Sequence, residues 1–451
     1  MQPGRYTNVH IDESYSPSGL VIRPDIPICQ TDLPLDWYQE EFKPYAEEYL
    51  SLPDRLPQTV IPWMDRYIRP ALDHFGDELI LLAHYYMGGE IVKVVERYGG
   101  HIADSYALAL QTKKRPKTRI FVESAVHFMA ESIAILANEQ QEVYITNPRS
   151  GCTMEMMAKD YMLEPAFEDL RSRYGDNLLV IAYMNTSGRV KALAGRTNGS
   201  VCTSSNAANV MRWALKQNKR IFFVPDQHLG ENSAAAAGIP AQQQFIWPGP
   251  KDRPGVSIDD FTPRELADMD RAKVIHWGGF CGVHTHFKVD HVLYWKAKGY
   301  QVVVHPECPK PIVDAADGNG STRYLWDAVM QSAPGSHIAV ATEGHFVRNV
   351  AEQAKLRGIH VVNMADIPDP AYTAMGCGCA TMSRNDPPHL VAILDLLRQG
   401  KAPQLNRVLA GDMVNERTGR RERLTSTDRS EMVRFAQASL EQMIRIVEGS
   451  D

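Results

Sequence analysis

Residues 302–329, VVVHPECPKPIVDAADGNGSTRYLWDAV, decide the fold. The β-branched run Val302–Val304 has the character of a strand buried on both faces. At its end stand His305, Glu307 and Cys308: a base, a carboxylate and a thiol within four positions. A helix-like stretch follows, then Gly318-Asn319-Gly320 and the pair Ser321-Thr322, which suits a helix N-cap. The plan is strand, chemistry, helix, glycine turn, helix.

The same plan occurs twice more. Around Glu78–Leu110 a buried strand ends in His84-x-Tyr86, and Asp104-Ser105 opens a helix. From about Asn177 a strand ends in Tyr183-x-Asn185, and Thr203-Ser204 opens a helix. In each unit a second strand–helix pair carries an acid at its junction (Glu123, Asp226, Glu343), and a third strand leads to Cys152, Cys281 or Cys379. Alternating strands and helices bury a parallel sheet between helical layers. The expectation is an α/β chain with three pseudo-symmetric small parallel-sheet domains of three-layer αβα type around a central cavity. Ligands in such sheets bind at the C-terminal strand ends, where each unit places its polar residues.

The boundaries follow from the repeat: a Pro-rich extension at 1–74, α/β domains at 75–176, 177–297 and 298–395, and a C-terminal loop and helix at 396–451. Ten of the 28 prolines fall within the first 70 residues, which argues against long regular elements there. The helical stretch Asp36–Leu50 is expected to kink at Pro44, and the extension reads as a wrapping or partner-binding arm. Residues 400–429 read as a solvated loop or a lid. The last helix is expected to turn Met432, Phe435, Leu440, Met443 and Val447 onto the body.

Composition excludes several classes. At 451 residues, 44% hydrophobic and 23% charged, the chain is an ordinary globular protein of about three domains. A net charge of −6 without a basic stripe gives no sign of a nucleic-acid partner. No apolar run reaches the roughly 18 residues of a membrane span, and the N-terminus lacks a signal-peptide core, so the reading is cytoplasmic. Seven scattered cysteines without a CxxC pair exclude a disulfide framework and a zinc ribbon.

A lone buried cysteine is usually a small core hydrophobe. Cys152, Cys281 and Cys379 differ because they occupy equivalent places in three repeats, and Cys152 also precedes a helix start that favours thiolate. Three thiolates fit a 4Fe–4S cluster with one iron open; three cysteines with His284 on zinc is the competing metal reading. Glycines before Ser321 are expected to free N–H groups for an anion. His84, His305 and Glu307 at strand ends read as chemical, whereas His127 and His345 within helical patterns read as packing. Cys29, Cys202 and Cys308 read as bystanders.

The motifs LAHYYMGGEI, HIADS, VHFMAE, AYMNTSGRVKAL, CTSSNA, VPDQHLG, FCGVH, VHPEC and CATMSRN, in that order across about residues 78–395, resemble the quinolinate synthase family. The resemblance implies three α/β domains around a 4Fe–4S cluster. It also implies condensation of iminoaspartate with dihydroxyacetone phosphate to quinolinate in NAD biosynthesis, with an aspartate-oxidising enzyme as a source of iminoaspartate. The implied ligands are Cys152, Cys281 and, among Cys377 and Cys379, Cys379, whose surroundings match Cys-x-x-Met-x-Met-Asn except for Arg384 in place of the second Met. Glu307 is the implied general base, with Tyr86 and His305 as proton carriers. His84, Ser105, Tyr183, Asn185, Ser204, His284, Ser321 and Thr322 are the implied substrate-binding residues. Two departures stand out: a longer helix after His84, and an N-terminal extension without a family counterpart. An iron–sulfur hydro-lyase or a non-catalytic iron sensor would share the cysteines but not the full set of strand-end residues.

Overall fold

The computed structural model describes residues 20, 22, 32–88, 90–369, 378–414 and 421–449. It contains the three parallel sheets that the repeat implied. The first runs in the order Arg407–Val408, Glu142–Ile145, Ile120–Ser124, Leu79–His84, His101–Ala103, antiparallel only at Arg407–Val408. The second runs Ser200–Cys202, Leu178–Tyr183, Arg220–Val224, Val274–Trp277, Gln244–Trp247, parallel throughout. The third runs Gly318–Asn319, Gln301–Val304, His337–Ala341, His360–Asn363. Central strands such as Leu79–His84 and Leu178–Tyr183 are buried at every residue, which explains why they read as continuous apolar runs rather than alternating ones.

The chain divides into two compact units. One comprises Met1–Gly151, Glu343–Val361 and Met375–Glu422; the other comprises Cys152–Thr342, Val362–Ala374 and Arg423–Asp451. The first holds the first sheet. The second holds the second sheet and the strands Gln301–Val304, Gly318–Asn319 and His337–Ala341 of the third.

In the first unit the extension is more regular than its prolines suggested. Pro44 does not kink a helix; it sits in the first turn of Lys43–Leu50, where a missing N–H costs nothing. The 19-residue helix Pro57–Phe75 contains Pro62 and Pro70 in its interior. Its Val60, Ile61, Met64, Ile68 and Leu72 are almost wholly buried, and it packs along Pro387–Arg398. Tertiary burial outweighs the interior-proline penalty of about 3 kcal/mol each.

In the second unit the closing helix Ser426–Glu448 lies against Gly188–Arg196. A Cβ at Gly195 would meet the Phe435 carbonyl oxygen at 2.0 Å, so only glycine allows this approach. Met432, Leu440 and Met443 are buried as expected, but Phe435 is half-buried and Val447 is 46% exposed. Residues 415–420 of the expected loop or lid lie outside the described residues; on either side, Met413–Val414 and Arg421–Glu422 pair antiparallel.

Candidate active site

Four implied site residues come together in the second unit. Tyr183 ends the strand Leu178–Tyr183, and its hydroxyl donates to Glu307 Oε1 at 2.6 Å. His284 follows Cys281 in a 3₁₀ turn, and its Nδ1 lies 2.8 Å from Glu307 Oε2. His284 Nε2 is 3.0 Å from Thr342 Oγ1, and its ring stacks on His305 at 4.6 Å between centroids. Donor atoms of Cys281, His284 and Glu307 all lie within 4.8 Å of one another, a group able to hold a metal ion. Tyr183, His284, His305 and Glu307 are buried; Cys281 is half-buried.

Burial pushes the Glu307 carboxyl up, but the neighbouring His284 and His305 and the contacts from His284 and Tyr183 outweigh it and hold the group at about 2. Asp226 moves the other way. Burial and the Glu307 charge raise it well above the carboxylate range, against the pull of backbone N–H groups. Two buried acids in one site are thus shifted in opposite directions, a division seen where acid and base work is shared.

Asp226 also holds a cysteine in place. It caps the helix Gln227–Ala236, accepting from Leu229 N, while its Oδ2 accepts the Cys281 N–H at 3.0 Å. The first unit repeats the device. Glu343 caps Gly344–Lys355, and its Oε1 accepts the Cys379 N–H at 3.0 Å and contacts His345 Nδ1 at 2.7 Å. Gly378 is required beside it: its φ is +96° and a Cβ there would fall 1.9 Å from Glu343 Oε1.

The third acid does not belong to this series. His127 N donates to Ser150 O as Gln227 N donates to Gly279 O, so the position matching Asp226 is Val126. Glu123 lies three residues earlier, inside the strand, level with Leu82 and Ile145. The sequence reading also passed over Thr342, and it took His345 for packing. The signal was present in the Asp-x-His and Glu-x-His spacing of 226–228 and 343–345, since an N-cap acid two residues before a histidine suits both duties.

His84 and His305 share one local geometry: Nδ1 accepts the N–H two residues on, from Tyr86 at 3.1 Å and from Glu307 at 3.3 Å. An accepting Nδ1 leaves the ring proton on Nε2. His84 is buried and packs edge-on to Tyr86 in the first unit.

Of the helix starts, Ser105 opens Ser105–Ala109 behind the cap Asp104, and Ser321 caps Thr322–Met330. Ser204 departs from expectation. It lies in a turn closed by Thr203 N–H donating to Asn206 Oδ1 at 2.7 Å, and the helix begins only at Ala207. The Gly320 N–H is likewise spent within the sheet, on Val304 O at 3.1 Å. Asn185 lies half-buried two residues beyond Tyr183.

Cys152 caps the short helix Thr153–Met156 in the second unit, and the chain breaks before resuming at Asp160. Its loop runs beside that of Cys281: Thr153 Oγ1 would lie 3.9 Å from a Cβ on Gly282. Among the described residues Cys152, Cys281 and Cys379 form no disulfide and are half-buried, whereas Cys202 and Cys308 are buried. Cys29 and Cys377 lie outside the described residues.

Three parallel sheets define an α/β fold, and the second unit carries at its strand ends a thiol, imidazoles and two buried acids, a set suited to an enzyme's site. The family model described as quinolinate synthetase A protein matches residues 68–410. Proteins named quinolinate synthase are 35% identical over 373 residues in Corynebacterium glutamicum (82% of this chain, 89% of the relative) and 34% identical over 341 residues in Bacillus velezensis (75% and 86%). A third, from Geobacillus kaustophilus, is 35% identical over 335 residues (74% and 85%). The chain belongs to the quinolinate synthase family.

Proposed function

We propose that the chain condenses iminoaspartate with dihydroxyacetone phosphate to give quinolinate, phosphate and water for NAD biosynthesis, in the cytoplasm, with Cys152, Cys281 and Cys379 holding a 4Fe–4S cluster. The observation that carries this reading is the Cys281–His284–Glu307 group, with a buried His284 Nδ1 that has no hydrogen-bond partner among the described residues. The donor set fits the cofactor: three half-buried thiols outside any disulfide among the described residues, two with N–H groups fixed by capping acids. When bound, the cluster supplies an open iron that acts as a Lewis acid on substrate oxygen and nitrogen.

The residues of the chain supply the rest. Glu307, ionised and held by Tyr183 and His284, is the base beside the triose carbonyl; substrate that displaces His284 from Oε2 returns basicity to it. His305 and Tyr86 are the proton carriers for Glu307. Asp226 stays protonated beside the charged Glu307 and spares the site a second anion. Ser321 and Thr322 at the start of their nine-residue helix, with Ser105 and Ser204, hold phosphate and carboxylate oxygens. His84, Asn185, Tyr183 and His284 orient the substrate. Burial around Glu307 excludes water during ring closure.

One observation favours a second reading: a thiol, an imidazole and a carboxylate within 4.8 Å also suit a zinc ion. Iron and acid-labile sulfide in anaerobically purified chain separate the two. About four of each per chain, lost in Cys379→Ala, together with quinolinate formation, are expected for the cluster. One zinc without sulfide would overturn it.

A further inference from the structure

Residues 37–42 precede the family match, which begins at residue 68. They nevertheless touch the segment that follows Cys379. The Tyr38 hydroxyl donates to Asp386 Oδ2, and its ring stacks on His389 at 4.7 Å. Phe42, fully buried, meets the same imidazole edge-on at 5.6 Å. The Arg384 guanidinium lies over the Trp37 ring at 5.7 Å. Gln39 Nε2 donates to Asn406 Oδ1 at 2.7 Å, and Asn406 Nδ2 in turn holds the carbonyls of Ile145 and Thr146 at the end of their strand.

The residues that the arm touches are themselves ties between two loops. Arg384, the departure from the family pattern, donates through Nη1 to the Arg149 carbonyl at 2.8 Å, and its own carbonyl accepts from Asn147 Nδ2 at 2.8 Å. The next residue, Asn385, accepts from Thr146 Oγ1 at 2.6 Å and donates to Ser150 Oγ at 2.8 Å; Ser150 Oγ donates to the Thr381 carbonyl at 2.7 Å. One loop leads into Cys152 and the other carries Cys379. Asp386, His389, Asn385 and Asn406 are at most 2% exposed, so the network is buried and geometrically exacting.

We infer that the N-terminal arm is a brace for the cysteine loops, with Tyr38 and Trp37 as positioning residues that act through Asp386, His389 and Arg384. The chemistry requires such a brace. A metal ligand is competent only while its loop holds the thiol within a few tenths of an ångström, and partners behind the ligands set that placement. Arg384 gives the arm a planar cation to pack on where the family pattern has a methionine, and Trp37 supplies the ring. The consequence for iron rests on the cluster reading; the consequence for loop order does not.

The test uses the full chain carrying Tyr38→Ala, Tyr38→Phe or Trp37→Ala. Amide hydrogen exchange is followed in a peptide covering 379–386 and, as control, in the helix His127–Leu136 of the same unit. Iron release to excess chelator is timed in parallel. Tyr38→Ala and Trp37→Ala are expected to speed exchange at 379–386 roughly tenfold, with the control unchanged and iron release accelerated by a similar factor. Tyr38→Phe keeps the stack and should lie between them and the parent. Unchanged exchange at 379–386 overturns the brace, and so does an equal rise in the control, which would mean general loosening. Trp37 is 47% exposed, so Trp37→Ala decides the matter if Tyr38→Ala does not fold. Parent chain without iron or sulfide would defeat the cluster reading while exchange still judged the brace.

Discussion

Glu123 is wholly buried in the central strand Ile120–Ser124, and neither carboxyl oxygen has a hydrogen-bond partner among the described residues. Its register neighbours Leu82 and Ile145 belong to the apolar cluster with Phe121, Leu108 and Ile133, so the carboxyl points into hydrocarbon. Burial raises its pKa well above the carboxylate range. The unfolded chain releases this proton at the ordinary carboxylate value while the folded chain retains it. The stability held below that value is therefore lost as pH rises, at about 1.4 kcal/mol per pH unit, until the raised folded value is passed. Leaving a buried polar group unpaired costs a further ~1–3 kcal/mol at any pH. Glu123→Leu removes both terms. It should gain at least about 1–3 kcal/mol at pH 5, which is roughly 2–4 °C in Tm per kcal/mol for a body of this size. The gap should widen toward pH 8. Thermal unfolding of metal-free parent and variant across pH 5–8 measures it. Equal or lower stability of the variant at pH 8, or parallel pH curves, would refute the argument and indicate that the carboxyl has a partner.

Two further substitutions test the site and the core. Tyr183→Phe removes the 2.6 Å bond to Glu307 but leaves His284 in contact; kcat for quinolinate formation should fall by roughly tenfold or more with the fold intact, and its acid limb should shift upward as Glu307 loses a donor. Lys93, 1% exposed, bridges Glu90 at 2.9 Å and Glu352 at 2.6 Å. Lys93→Met leaves two carboxylates facing one another and should cost about 3–5 kcal/mol in denaturant unfolding.

The threefold strand–helix plan and the strand-end residues were legible in the sequence, because they depend on local periodicity and on the short reach of a βα turn. Val302–Val304, His305 and Glu307 needed no partner in space to be recognised. What lay beyond reach of the sequence was which groups meet. Tyr183 and Glu307 are 124 positions apart, and their contact is one of those that hold the Glu307 carboxyl low. Glu123 seemed to match Asp226 and Glu343 until the sheet register moved it into an apolar core. The prolines of the arm predicted irregular chain; a 19-residue helix forms because burial against Pro387–Arg398 exceeds the local penalty. Residue type and spacing determine which elements form and what chemistry each carries. Burial and long-range contact, which set desolvation and charge, decide the state in which that chemistry is held.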